Sequence, residues 1–265
     1  MITNDTFLTA VNWYETGAHR VTHDSVTLGL TYLDKAIPVF TEMEDVVRAT
    51  HARHYKLLGL RLAERFEDVE RLFADTMAGY TRQEDSYGQA LLLSHLAETL
   101  VELERWEMAV GYYNLAAVVA ENDQKASVLD YIYLKQGEMY GQRDDLLQTE
   151  RVFQRAEQLA EATGDLMALA RCRFLRGETL SRLGELSEAV GLLEDAQSRF
   201  LRNQAHRQAL GPLTLLRSIY DQSGMAEDRA RVSNLIHLCG QRMIQSDSIP
   251  VSHGEFGPPI DQELS

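Results

Sequence analysis

The residues most suited to chemistry in this chain are histidines and carboxylates at helical spacings. His51 and His54 stand at i, i+3, and His19 and His23 at i, i+4, so each pair shares a helix face. Two imidazoles on one face bind zinc when further ligands complete the shell. The spacing fixes no such ligand, so hydrogen-bonded or solvated histidines are the expectation. Glu98, Glu138 and Glu178 recur at intervals of 40 residues and form a possible acidic stripe. Such a stripe either meets a partner with Lys or Arg spaced along an extended segment or is a row of solvated helix formers. Asp144-Asp145 falls in a turn, which suits solvation better than acid–base work. Gly-x-Gly-x-x-Gly, a phosphate loop, Gly-x-Ser-x-Gly and His-Glu-x-x-His are all missing from the sequence. No catalytic residue, metal or cofactor is therefore expected.

The elements that carry these residues are set by a repeat. Gly17, Ala97, Gly137 and Gly177 fall on one 40-residue grid, completed by Leu57 and Arg217. A second column reads Ala36, Thr76, Ala116, Ala156, Ala196, Ile236, and a third Leu33, Phe73, Tyr113, Phe153, Leu193, Ser233. A fixed period in this range marks a helical solenoid. The fifth unit shows the repeat most clearly. Leu166 to Leu183 reads as one helix, closed by Gly184, and Ser187 to Leu201 as a second with Ser187 as its N-cap. The same hairpin can be written six times, giving about twelve helices. The small residues let paired helices cross closely, and the large column fills the space beside the crossing.

The period predicts an all-α, right-handed solenoid of six hairpins over residues 1–246. A lead-in covers 1–9, and the units span about 10–49, 50–89, 90–129, 130–169, 170–209 and 210–246. Residues 247–265, acidic and containing Pro and Gly, are expected to form a flexible tail. The end helices carry polar residues on their outer faces, Thr9, Asn12 and His19 at one end and Arg231, Asn234, Gln241 and Arg242 at the other, as solenoid caps do.

Net charge is −14 with a pI near 5.0, which disfavours nucleic acid as a partner. The surplus of acids lies in residues 1–165, whereas bases outnumber acids over 166–245. Cys172 and Cys239, far apart and without a partner motif, read as buried free thiols of a reducing compartment. The start lacks the basic and apolar regions of a secretory signal, and no stretch is long enough to span a membrane. A cytoplasmic protein without membrane insertion is the expectation.

These columns resemble the tetratricopeptide repeat family. The third unit gives Leu93, Ala97, Leu100, then Ala109, Tyr113, Ala116; the fourth gives Tyr133, Gly137, Tyr140, then Thr149, Phe153, Ala156. The fifth gives Arg173, Gly177, Leu180, then Ala189, Leu193, Ala196, while the second and sixth match less well. The period of 40 exceeds the family's 34 and resembles a longer-unit branch found in bacterial regulators. HEAT-type repeats share that period, but the Gly/Ala columns favour the tetratricopeptide likeness.

The resemblance implies a concave groove lined by the first helix of each hairpin. Carried onto this chain, the groove positions are His51, His54, Leu58 and Arg61; Leu91, Ser94, Glu98 and Val101; Tyr131, Leu134, Glu138 and Gln142; and Arg171, Phe174, Glu178 and Arg182. The family's Lys/Asn/Arg clamp for a terminal carboxylate is missing, since its positions hold His54 and Leu58, Ser94 and Glu98, Leu134 and Glu138. The function implied is a non-enzymatic adaptor or scaffold binding a peptide or helical segment of a partner protein. The alternative is a peptide-responsive regulator whose solenoid changes shape to control a second protein. Extended repeat surfaces also leave self-association into a homo-oligomer open. Two readings of the acidic tail stay open: a disordered, solubilising segment, or a segment that docks against Arg171, Arg173, Arg176 and Arg182, with Phe174 among them, and competes with a partner.

Overall fold

Every twentieth residue from Glu44 to Gly224 takes the left-handed backbone conformation, and this spacing sets the architecture. In the computed structural model, which describes residues 3–246, positions 44, 64, 84 and so on to 224 have φ between 55° and 86°. At each one the following N–H returns to the carbonyl five residues back: Asp45 to Phe40 at 2.9 Å, Arg105 to Leu100 at 2.8 Å, Ala205 to Phe200 at 2.8 Å. This is the hydrogen bond that closes a Schellman turn and satisfies a carbonyl at the helix end. The chain then restarts a helix at once. Asp45, Asp85, Asp145 and Asp165 cap the new helix, each carboxylate accepting a backbone N–H of the first turn. The sequence shows a period of 40; the backbone repeats every 20, because the turn inside a hairpin and the turn between hairpins are the same turn.

The helices among the described residues are α1 (Asn4–His23), α2 (Val26–Glu42), α3 (Val46–Leu62), α4 (Phe66–Gln83), α5 (Ser86–Glu102), α6 (Trp106–Asn122), α7 (Ala126–Gln142), α8 (Leu146–Thr163), α9 (Leu166–Leu183), α10 (Leu186–Arg202), α11 (His206–Gln222) and α12 (Ala226–Ser246). Consecutive pairs make six hairpins, and no strand occurs among these residues. Each hairpin opens about one turn before the window read from the sequence. The expected N-cap at Ser187 is displaced as well: α10 begins at Leu186 behind Glu185, which makes no side-chain cap. With Gly184 in the left-handed position, the restart comes two residues later and leaves Ser187 inside the first turn. The expected tail at 247–265 lies outside the described residues. No helix among those described is long and apolar enough to cross a membrane.

The described chain divides into two compact units, one through Val128 and one from Leu129. In the first, α1 packs on α2 and α3, and α3 in turn on α4 and α5. In the second, α9 packs on α8, α10 and α11, and α11 on α12. Within each unit the first helices of successive hairpins touch: α1 with α3, α3 with α5, and α9 with α11. The second helices stand farther apart and meet through side chains, Phe73 of α4 with Tyr112 of α6 at 6.1 Å between ring centres and Arg231 of α12 with Glu194 of α10 at 2.7 Å. A stack that is closer on one side than on the other curves toward the closer side, so the first helices form the inner wall of each unit.

The packing columns meet as the sequence implies. A β-carbon on Gly17 would stand 2.8 Å from Leu33 Cγ, and one on Gly177 would stand 2.8 Å from Leu193 Cγ. One on Gly137 would collide with the ring of Phe153. Ala36, Thr76, Ala116, Ala156 and Ala196 are all fully buried. These close crossings fix each first helix against its second, and so fix which face is left for the inner wall.

Candidate partner-binding face

The inner wall differs in character between the two units. On α3, His51, His54 and Leu58 are buried, and on α5 so are Leu91 and Ser94. Val101 is partly buried. Arg61 and Glu98 join α3 to α5 through an ion pair at 3.2 Å, with their side chains only 12% and 11% exposed. These positions serve packing between hairpins more than they present side chains to solvent. The physical reason lies in α5, whose residues from Leu91 to Ala97 are buried all round. A helix with apolar residues on every face buries all of them.

A polar relay runs through that core. His54 Nδ1 lies 2.7 Å from Tyr80 Oη, and His54 Nε2 lies 2.9 Å from His95 Nδ1. Three successive helices, α3, α4 and α5, are thereby tied by side-chain hydrogen bonds. Burial holds the His54 pKa well below the ordinary histidine value, with His95 and His51 adding to the depression. His54 is therefore neutral, one ring nitrogen donating and the other accepting. The i, i+3 spacing of His51 and His54 is readable in the sequence, whereas Tyr80 and His95 are not. Their only signal is a histidine set among leucines, Leu92-Leu93-Ser94-His95-Leu96. His19 and His23 stack ring on ring at 4.6 Å on the exposed side of α1.

In the second unit the wall opens. Tyr131 and Leu134 on α7 are buried, but Glu138 and Gln142 are exposed. On α9, Arg171, Glu178 and Arg182 reach solvent, and Phe174 is half-buried against α11, where a β-carbon on Gly211 would stand 2.8 Å from its Cζ. Arg171 donates to Asp130 at 2.9 Å, and Arg182 pairs with Asp144. Both bonds run from α9 back to the α7 hairpin and align the two first helices. Of the acidic column, Glu98 is paired with Arg61 and Glu138 with Lys135 at 3.0 Å. Glu178 alone of the three stands exposed without an ion pair among the described residues.

The arginines named for the acidic tail already pair with carboxylates of the described residues, and the tail itself lies outside those residues. Arg173 donates to Glu157 at 2.8 Å, Glu161 at 2.9 Å and Asp195 at 2.7 Å. Arg176 binds Glu150 at 2.5 Å and also Glu157. Burial works against the charge on Arg173, but its hydrogen bonds to Asp195 and Glu157 outweigh burial and hold its pKa above the usual arginine range. Arg173 and Arg176, part of the local surplus of bases over 166–245, are thus taken up by carboxylates of α8 and α10. Cys172 and Cys239 are free and buried. Burial, then the nearby Asp130 carboxylate, pushes the Cys172 thiol up to about 12, so it is no nucleophile near neutral pH.

No protein-family model matches the chain. A comparison with curated proteins also finds no sequence relative. Solved structures do resemble it. A Rap protein complexed with Competence and Sporulation Factor matches with a TM-score of 0.61 at 17% identity, over 92% of this chain and 67% of that one. Aspartyl phosphate phosphatase F from Bacillus subtilis matches with a TM-score of 0.65 at 13% identity, over 96% of this chain and 64% of the other, so this chain spans just under two thirds of that protein's length. A putative kinesin light chain from Podosopora anserina, with nearly identical TPR-like repeats, matches with a TM-score of 0.61 at 11% identity, over 77% of this chain and 100% of that one. At these identities the likeness concerns the fold alone. The six hairpins, the buried small-residue columns and these likenesses together give the chain a tetratricopeptide-like repeat fold.

Proposed function

We propose that this protein is a non-enzymatic cytoplasmic adaptor that takes a peptide or helical segment of a partner protein on the inner wall of its second unit. The observation that carries the reading is the exposed row on α9. Arg171, Glu178 and Arg182 present polar ends around the half-buried Phe174, on a helix already aligned against α11. A ring beside fixed charges offers one apolar anchor with polar groups around it, which is how peptide segments are commonly held. Glu178 gives the face its preference for a Lys or Arg in the partner. Catalysis would require titratable groups converging in a closed pocket. The buried His54 relay faces the core of the first unit instead, and the α9 row is open.

Panning a displayed random peptide library on the full chain tests this. The enriched peptides should carry a basic residue beside an apolar one, and Glu178→Arg should weaken them tenfold or more. Binders indifferent to Glu178→Arg would contradict the reading.

A second reading draws support from the likeness to the Rap protein complexed with Competence and Sporulation Factor. In it, the peptide is a signal and the stack changes shape on binding to control a second protein. A selected peptide that changes the radius of gyration in small-angle scattering would favour regulation over simple scaffolding.

A further inference from the structure

The crevice formed by α2, α3 and α4 is the counterpart, 120 residues earlier, of one formed by α8, α9 and α10. In the later crevice Arg173 reaches Glu161 and Asp195, and Arg199 donates to Asp195 as well. In the earlier one Arg53 stands for Arg173, Thr41 for Glu161, Asp75 for Asp195 and Gly79 for Arg199. The geometry is kept: Arg173 Nη2 donates to Glu161 at 2.9 Å, and Arg53 Nη2 donates to the Thr41 hydroxyl at 3.0 Å. The charges are not kept. Thr41 brings no carboxylate, Gly79 brings no side chain, and Ile37 takes the place of Glu157, the third carboxylate on Arg173. Among the described residues Arg53, Asp75 and the neighbouring Arg82 and Glu44 make no ion pair. All four line a cavity of about 580 Å³. Arg53 is half-buried in it, and the other three are exposed. The chain's own backbone is closed to a cation here, because a β-carbon on Gly79 would collide with the Thr50 side chain. Forty residues on from Arg53, Asp75 and Gly79 stand Leu93, Leu115 and Val119, so the charged crevice is no general property of the repeat.

We propose that this cavity binds a small zwitterion, an α-amino acid with a cationic side chain such as arginine. Such a ligand supplies the groups that the later crevice holds and this one omits. Its carboxylate meets Arg53 as Glu161 meets Arg173, with Arg82 beside it, and its guanidinium meets Asp75 as Arg199 meets Asp195. Glu44 is left for its ammonium group. Asp45 does not compete, since its carboxylate is held by Arg48 and by the first turn of α3. A phosphate or a dicarboxylate would set Asp75 and Glu44 against a like charge, so a ligand of mixed charge fits better than an anion. The volume lies in the range of small-ligand sites. Space is available because the second helices α2 and α4 stand apart while α3 floors the gap. A ligand of about twelve heavy atoms in an open cavity should dissociate in the range of about 0.1–1 mM. The site is independent of the peptide-binding reading, because it lies in the first unit and uses none of the inner-wall residues of α9.

Ligand-detected NMR titration of the full chain with L-arginine tests it. Saturable binding at one site is expected. Agmatine, which lacks the carboxylate, and L-citrulline, which lacks the cationic side chain, should each bind about tenfold more weakly or worse. Arg53→Gln should erase the preference for arginine over agmatine and keep that over citrulline, and Asp75→Asn should do the reverse. A general loosening of the fold would weaken all three ligands alike, so the crossed pattern isolates direct contact. Neither side chain has an ion pair to lose, and both variants should keep the thermal midpoint of the parent. Ala-Ala-Arg carries the same two groups at a chain end; tighter binding of it than of arginine would keep the chemistry and make a peptide end its source. No binding of arginine at about 10 mM, tenfold or more above the expected constant, would overturn the proposal. So would equal binding of arginine, agmatine and citrulline, or preferences that survive both substitutions.

Discussion

Leu193 of α10 closes over Gly177 of α9, so that a β-carbon on the glycine would sit 2.8 Å from Leu193 Cγ and 3.2 Å from the Ala189 carbonyl oxygen. The same contact recurs between Gly17 and Leu33, where the carbonyl is that of Gly29 at 3.1 Å. A backbone oxygen cannot swing aside as a side chain can. Gly177→Ala is therefore expected to lower stability by about 1–3 kcal/mol in urea unfolding. Gly191, also helical, meets nothing where its β-carbon would be. Gly191→Ala should raise stability by about 0.5–1 kcal/mol. If both substitutions act alike, the close-crossing account of the columns is wrong.

The left-handed turns make a second prediction. Glu104 and Gln204 hold φ of 56° and 58° with a β-carbon present, whereas Gly184 and Gly224 hold the same position without one. A side chain there costs about 1–2 kcal/mol, partly offset by the freedom a glycine loses on folding. Glu104→Gly and Gln204→Gly should each stabilise the fold by about 0.5 kcal/mol or more, read as a higher thermal midpoint. Gly184→Ala should lower it.

The neutral His54 links stability to pH. Its pKa in the folded chain lies well below the ordinary value of 6.5, so the unfolded chain takes up a proton that the folded chain refuses. The contribution of His54 is thus fully present above about pH 6.5 and falls as pH drops below it. The slope attributable to this one group is at most about 1.4 kcal/mol per pH unit. Urea unfolding at pH 7.5, 6.5 and 5.5 should show the decline, and His54→Phe should flatten it. An unchanged slope in His54→Phe would assign the effect elsewhere.

Glu157 is the carboxylate that Arg173 and Arg176 share, and it is buried. Removing it leaves two arginines short of a partner in a half-buried setting. Glu157→Ala should destabilise the second unit by about 3 kcal/mol, and high salt should not reproduce the loss, because enclosed pairs are poorly screened.

The fold was legible because its signals are local and periodic. Gly17, Gly137 and Gly177 each stand 16 residues before the large side chain, Leu33, Phe153 or Leu193, that packs on them from the partner helix, and α9 runs over the same residues, Leu166 to Leu183, that the apolar spacing marks. The 20-residue period stayed hidden because seven of the turn residues are Glu, Gln or Asp, which carry no left-handed signature. The site was less legible. Register placed Leu91 and Ser94 beside Glu178 as equivalent groove positions, yet the neighbours of α5 bury the first two while α9 leaves the third in solvent. Exposure depends on what packs against a helix, and spacing within the helix does not report it. Nor could charge counting show that Arg173 and Arg176 are taken up by carboxylates of other helices.

Hydrogen exchange of the full chain, with and without a peptide selected on it, tests the central claim most directly. Protection of backbone amides on α9 and α11 upon peptide addition is the predicted result, since these first helices form the open inner wall. Protection confined to α8, α10 and α12, with α9 unchanged, would contradict it.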